Sequence, residues 1–196
     1  LRIISGTARG RRLFAPPRGK GVSEIRPTAD RVREAIFNIL TGRFVNGTVL
    51  DLFAGTGALG LEALSRGSDT AIFVDFNSAA SRLIKKNLEA CGFSDRAKLL
   101  KRDLLKNLSF LRKIRPVEGF RLIFVDPPYR RKISGKIIKQ LGELAILSDD
   151  GLLVVEEASE VELPDEAGVL RMIDHRVYGD TAIFFYENAK VEKEHE

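Results

Sequence analysis

Four short strand-like runs, each ending on an aspartate and followed by a stretch of helical character, constrain this chain more than any other feature. Val49-Leu50 leads to Asp51, Ala71-Ile72-Phe73-Val74 to Asp75, Lys98-Leu99-Leu100-Lys101-Arg102 to Asp103, and Leu122-Ile123-Phe124-Val125 to Asp126. Successive acids stand 24, 28 and 23 residues apart, the length of a strand-helix-strand repeat. The four strands are therefore expected to lie parallel, with their acids along one edge. Open parallel sheets bind ligands at that carboxyl edge, where the strand order reverses. A single strand-end aspartate is ordinary helix capping, whereas four carboxylates at one rim carry a desolvation cost that decoration does not explain.

The intervening segments fit helices. Ala58 to Arg66 closes at Gly67, and Asn77 caps a helix through Ala80, Leu83, Ile84 and Leu88 that closes at Gly92. A third, shorter helix is predicted over about Leu104 to Arg112, and a fourth is marked by Ile133, Ile137, Ile138, Leu141 and Leu144. Leu152 to Val155 reads as a fifth buried strand. Val169 to Val177 and Thr181 to Tyr186, separated by Tyr178-Gly179-Asp180, read as a hairpin-like pair that finishes the sheet with an antiparallel strand. Upstream, Pro27-Thr28 opens a helix that Thr28 can cap, with Val32, Ala35, Ile36, Ile39 and Leu40 on one face and Gly42 at its end. This gives an α/β fold with three parts: a basic hairpin extension at 1–26, one domain at 27–188, and a charged tail at 189–196.

Charge placement is more informative than net charge. Of the formal +5, residues 1–26 hold seven Arg or Lys (among them Arg2, Arg9, Arg11 and Arg12) against Glu24 alone. Such a strip suits phosphates, although a solvated arm would have the same composition. Hydrophobic residues at 44% and charged residues at 30% suit a soluble globular protein, with no apolar run long enough to span a membrane. No secretory signal is visible. Cys91 is the only cysteine, so no internal disulfide can form and a cytoplasmic location is expected. With only His175 and His195, neither a zinc site nor a Ser-His-Asp arrangement is expected.

Two motifs carry the chemistry. Asp126-Pro127-Pro128-Tyr129 ends a strand on an acid, two residues without N–H groups and an aromatic ring, a set of acceptors suited to a flat base bearing an amino group. Alone, the tetrapeptide fits an ordinary Pro-Pro turn equally well. Gly55-Thr56-Gly57-Ala58-Leu59-Gly60 matches a dinucleotide fingerprint, and Asp75 follows at the distance of a ribose-binding acid. Asp51 argues against a pyrophosphate there, because a carboxylate beside the turn suits a cationic amino-acid head or sulfonium instead. S-adenosylmethionine (S-adenosyl-L-methionine) carries both.

The run Asp51 to Gly57 with Phe53 and Gly55, followed by Asp75, Asp103 and Asp126 to Tyr129, resembles the Rossmann-like class of S-adenosylmethionine-dependent methyltransferases. That class has a seven-stranded, mostly parallel sheet with an antiparallel last strand and helices on both faces. Arg2 to Leu13, Arg26 to Leu40 and Tyr178 to Thr181 are similar to the RsmD family. Its members are bacterial enzymes that methylate the 2-amino group of a guanine in 16S ribosomal RNA. The resemblance implies that Gly55 and Gly57 approach the methionine part of the cofactor, that Asp51 and Phe53 border it, and that Asp75 holds the ribose. Asp103 and Leu104 would flank adenine, and Thr28 and Arg31 would close over the methionine end. Asp126, Pro127, Pro128 and Tyr129 would hold the guanine. Arg2, Arg9, Arg11, Arg12, Arg130, Arg131 and Lys132 would grip small-subunit ribosomal RNA, free or in an assembling subunit, with the enzyme acting as a monomer without metal. The competing readings are methylation of adenine-N6 in DNA or RNA, or of a protein glutamine, a nicotinamide-dependent oxidoreductase, and a non-catalytic RNA-binding protein.

Overall fold

The computed structural model describes residues 1–16, 27–43, 45–128 and 133–189. The strands are β1 (Thr48–Leu52), β2 (Thr70–Asp75), β3 (Ala97–Lys101), β4 (Phe120–Val125), β5 (Leu147–Ala158), β6 (Glu166–Ala167), β7 (Leu170–Tyr178) and β8 (Thr181–Asn188). The helices are α1 (Pro27–Ile39), α2 (Ala58–Ser65), α3 (Ser78–Cys91) and α4 (Ser134–Leu144). All eight strands join in one sheet, ordered β3-β2-β1-β4-β5-β8-β7-β6. The pairs from β3 to β5 are parallel and the three from β5 to β6 antiparallel. The order reverses between β1 and β4, which makes their carboxyl ends the ligand crevice of such a sheet.

Strand periodicity divides the core. Val49, Phe73, Leu122, Phe124, Val154 and Phe185 face one side, where α1, α2 and α3 cover them. Their alternates Leu50, Leu52, Val74, Ile123, Val125 and Val155 face the other, against α4 and Leu104, Leu108 and Leu111. Both faces being buried explains why these strands read as continuous apolar runs.

The N-terminal hairpin belongs to the first of these layers. Arg2 bridges Arg12, and Ile3, Ala8 and Leu13 are buried with Val32, Ile36 and Leu64. Glu62 on α2, fully buried, accepts the N–H groups of Ile4 at 2.8 Å and Ser5 at 2.9 Å and the Arg66 guanidinium at 2.7 Å. Arg33 adds a bond to the Arg2 carbonyl at 2.5 Å. A buried carboxylate is tolerable only with such partners, so the hairpin and α2 depend on one another.

Three expectations are corrected. The sheet has eight strands, because the two-residue β6, just ahead of Gly168 at φ +59°, is too short to show in a sequence pattern. No α-helix spans 104–112; Asp103 takes the Leu105 N–H and Asn107 the Ser109 N–H, and only a 3-10 helix at Ser109–Lys113 follows. Those side-chain acceptors compete with helical bonds, although Leu104, Leu108 and Leu111 mimic a helical stripe. Finally, α1 starts at Pro27, which puts Thr28 inside the first turn and not at the cap.

Candidate active site

Parallel registration brings the crevice together. Leu52 lies opposite Val74 on one side and Val125 on the other, so one step beyond them Phe53, Asp75 and Asp126 stand side by side. Val125 opposes Val155, which sets Glu156 level with Asp126.

The turn after β1 is held in left-handed backbone at Phe53 (φ +61°), Gly55 (φ +54°) and Gly57 (φ +77°). For phenylalanine this conformation costs about 1–3 kcal/mol and persists where surrounding bonds enforce it. Here Ala54 N–H reaches the Val74 carbonyl at 3.2 Å, Gly55 N–H reaches Asp75 Oδ2 at 2.9 Å, and the Asn87 amide holds the Thr56 carbonyl at 2.8 Å. Asp75, almost wholly buried, also takes the Asn77 N–H on Oδ1 at 2.8 Å. Each of its oxygens keeps a second lone pair for a ligand hydroxyl.

The three glycines of the fingerprint do different things. A Cβ on Gly60 would lie 2.4 Å from the Phe73 ring, and one on Gly57 would lie 3.2 Å from it, so both serve helix-strand packing. A Cβ on Gly55 would meet only the Phe53 carbonyl, at 3.9 Å. Gly55 is the glycine that opens onto space.

Asp51 is buried beneath this turn and accepts the Gly60 N–H at 2.9 Å. Burial outweighs that bond and, with the Asp75 charge, lifts its carboxyl to about 7. Asp126 is half-buried, and its N–H reaches toward the Leu52 carbonyl at 3.5 Å. Burial first, and then the charges of Glu156, Asp51 and Glu157, hold its carboxyl well above the usual range. Pro127 is buried and Pro128 exposed. Behind them, buried Glu157 accepts the Ser134 hydroxyl at 2.5 Å and the Ala158 N–H at 3.0 Å, tying the start of α4 to the end of β5.

Asp103 lies exposed past β3 with its carboxylate on the Leu105 N–H at 3.0 Å. The Leu104 side chain is buried in the core, which leaves its backbone as the part available to a ligand. Arg31 is exposed on α1, and Arg2, Arg9, Arg11 and Arg12 are exposed on the hairpin. Tyr129, Arg130, Arg131, Lys132 and the Thr28 side chain lie outside the described residues. Among the described residues no helix is long and apolar enough to cross a membrane.

Sequence reasoning missed Asn87, Glu62, Glu157 and Phe76. Asn87 breaks the apolar stripe Ala80, Ile84, Leu88 of α3, and a polar residue on such a stripe is a signal that could have found it. Phe76, directly after Asp75, is 64% exposed at the rim.

The family model described as conserved hypothetical protein 95 matches residues 1–187 of this sequence. The Escherichia coli (strain K12) ribosomal RNA small subunit methyltransferase D is 36% identical over 187 residues, 95% of this chain and 89% of its own. This chain belongs to the RsmD family. YlbH of Bacillus subtilis (strain 168) is 40% identical over 187 residues, covering 95% of this chain and 98% of its own. The solved structure of yhhF from Escherichia coli is 34% identical with a TM-score of 0.77, over 96% of this chain and 97% of that one. A more distant structure solved with SAH shares the fold, at 22% identity and a TM-score of 0.63 over 83% of this chain and 50% of that one. The RsmD relationship thus spans the hairpin as well as the sheet, as their shared core requires.

Proposed function

We propose that this chain transfers a methyl group from S-adenosylmethionine to the 2-amino group of a guanine in small-subunit ribosomal RNA. The observation that carries the reading is the pairing, across adjacent parallel strands, of an open glycine turn lined by Asp51 and Asp75 with Asp126-Pro127-Pro128. Family membership and the naming of its Escherichia coli relative as a ribosomal RNA small subunit methyltransferase support methylation of small-subunit ribosomal RNA.

The residues present fit the cofactor. Asp75, fixed by two backbone N–H groups, has free lone pairs for ribose hydroxyls; Gly55 admits close approach; and Asp51 lies beneath the turn, where it can face a cationic head. When bound, S-adenosylmethionine supplies a methyl carbon that the sulfonium activates toward a nitrogen lone pair, with the C–S electrons leaving on sulfur. The protein's contribution is alignment, worth about 7–11 kcal/mol where geometry is productive. Guanine's 2-amino lone pair is delocalised into the ring, and acceptors on its hydrogens orient it and stabilise the charge that grows on nitrogen. Asp126 and the Pro127 carbonyl supply such acceptors, and Tyr129 a face for the base. The proton then leaves the nitrogen, and an ionised Asp126 carboxylate can take it. Arg31 and Thr28 border the methionine end, Asp103 and the Leu104 backbone border adenine, and the hairpin arginines with Arg130, Arg131 and Lys132 hold RNA phosphates.

Thermal shift with SAH against NAD tests the cofactor: stabilisation by SAH alone is expected, and stabilisation by NAD alone contradicts it. Labelled methyl groups should enter the RNA of undermethylated small subunits; label confined to protein would contradict the substrate.

A further inference from the structure

We propose that Phe14 is a stacking platform for an unpaired base of the RNA substrate, mounted beside the cofactor turn; this rests on the RNA reading above. Ile3, Ala8 and Leu13 of the hairpin turn inward, whereas Phe14 leaves 53% of its surface in solvent. An exposed aromatic ring is common, but the way this one is held is not. The Phe14 N–H is donated to Asn87 Oδ1 at 2.6 Å, and its carbonyl accepts from Asn87 Nδ2 at 3.0 Å. Asn87 is fully buried on α3, and the same Nδ2 donates its other hydrogen to the Thr56 carbonyl of the glycine turn at 2.8 Å. One asparagine side chain therefore spans from the backbone beneath the exposed ring to the turn that faces the cofactor. Burying that amide costs free energy unless its bonds are made, and two of its three partners belong to Phe14. Asn87 is thus a positioning residue that fixes an exposed ring at a set distance from the reaction.

The surroundings select the occupant. Lys86 Nζ lies 5.8 Å from the centroid of the Phe14 ring, and Arg82 and Lys85 on α3 and Arg11 and Arg12 on the hairpin are exposed. Cations that track a backbone around an aromatic face are the chemistry of single-stranded nucleic acid, where phosphates meet the charges and a base meets the ring. An apolar peptide would gain nothing from the Lys86 ammonium beside the ring or from the exposed cations of α3 and the hairpin. Extruding a guanine for methylation also leaves its neighbours without stacking partners, and Phe14 restores one.

The chain contains no tryptophan, so Phe14→Trp creates a lone indole at the platform that can be excited apart from the tyrosines. Titration with undermethylated small-subunit RNA should quench it saturably, because a stacked base quenches indole. Phe14→Ala should lower kcat/KM for RNA about 5- to 150-fold, Phe14→Tyr should restore it, and SAH affinity by calorimetry should be the same in all variants. Unquenched Phe14→Trp that still methylates RNA, or Phe14→Ala with full activity, would overturn the platform while leaving the RNA reading intact. A wild-type enzyme that places no label in RNA would overturn both.

Discussion

The two sides of the crevice are built differently. On the cofactor side Asp51 holds one backbone N–H and Asp75 two, and Asn87 and the Val74 carbonyl complete a turn strained at Phe53. On the substrate side, among the described residues, no group donates to the Asp126 carboxylate, while Glu156, Asp51 and Glu157 crowd it with like charge. The first side is finished before any ligand arrives. Burial and that like charge hold the Asp126 carboxyl well above its usual range, and positive charge arriving beside it, as on a sulfonium or a nitrogen under methylation, favours its ionised form. Cofactor affinity should therefore depend on one side and transfer rate on the other.

Four experiments press on that division, beginning with the largest effect. Asp51 is raised, from 3.8 to about 7, so its ionisation opposes folding. Below about pH 4 both states are protonated and nothing is lost; the cost accrues as pH rises to about 7 and is constant above. Asp51→Asn, whose Oδ1 can still accept from Gly60, should therefore gain up to about 4 kcal/mol of stability at pH 8 and none at pH 3 in denaturation without ligand. Equal stability of the two proteins at pH 8 would show that the buried charge is relieved in some other way.

Asp126→Asn should slow methyl transfer by about 10²–10³ with SAH affinity unchanged. A matching fall in SAH affinity would erase the distinction between the two sides. Asp75→Ala is the reverse case. It should weaken SAH by about 1.5–3 kcal/mol, the worth of a charge-assisted hydrogen bond, and an unaltered calorimetric titration would remove it from the cofactor site. The smallest effect is on pH dependence. A cationic amino-acid head favours ionised Asp51, so SAH affinity should fall by up to about tenfold per unit below pH 7 and level off above it. Asp51→Asn should flatten that profile, whereas a profile unchanged by the substitution would place the titration elsewhere.

The parts legible in the sequence were those that local spacing encodes. Strand-end aspartates at the repeat length put Asp75 and Asp126 on one rim, and Pro127-Pro128 marked the stop of β4, whereas Asp51 lies within β1, opposite Phe73 and Phe124, and is buried beneath the rim. Gly55, Gly57 and Gly60 were legible as a motif but not in their separate roles, since only the Phe73 ring reveals which two of them are filled by packing. Contacts across long separations were hidden. Glu62 meets Ile4 and Ser5 from 58 and 57 residues away, so the hairpin read as an appendage although it shares the main core. The same contact sets what truncation should do. Removing residues 1–16 would take two backbone N–H partners from buried Glu62 and remove Ile3 and Leu13 from the core, each worth about 1.5–3 kcal/mol when buried, so a fall in melting temperature should accompany any loss of RNA binding. The stretch 104–112 misled because its leucine spacing is helical while Asp103 and Asn107 bind its N–H groups.

The most direct test is the identity of the methylated nucleoside. RNA from undermethylated small subunits, incubated with the enzyme and labelled S-adenosylmethionine and then digested, should yield label in N2-methylguanosine, and Asp126→Asn should nearly abolish it. Label in N6-methyladenosine, or the same yield from Asp126→Asn, would contradict the meeting of donor and guanine at the end of β4.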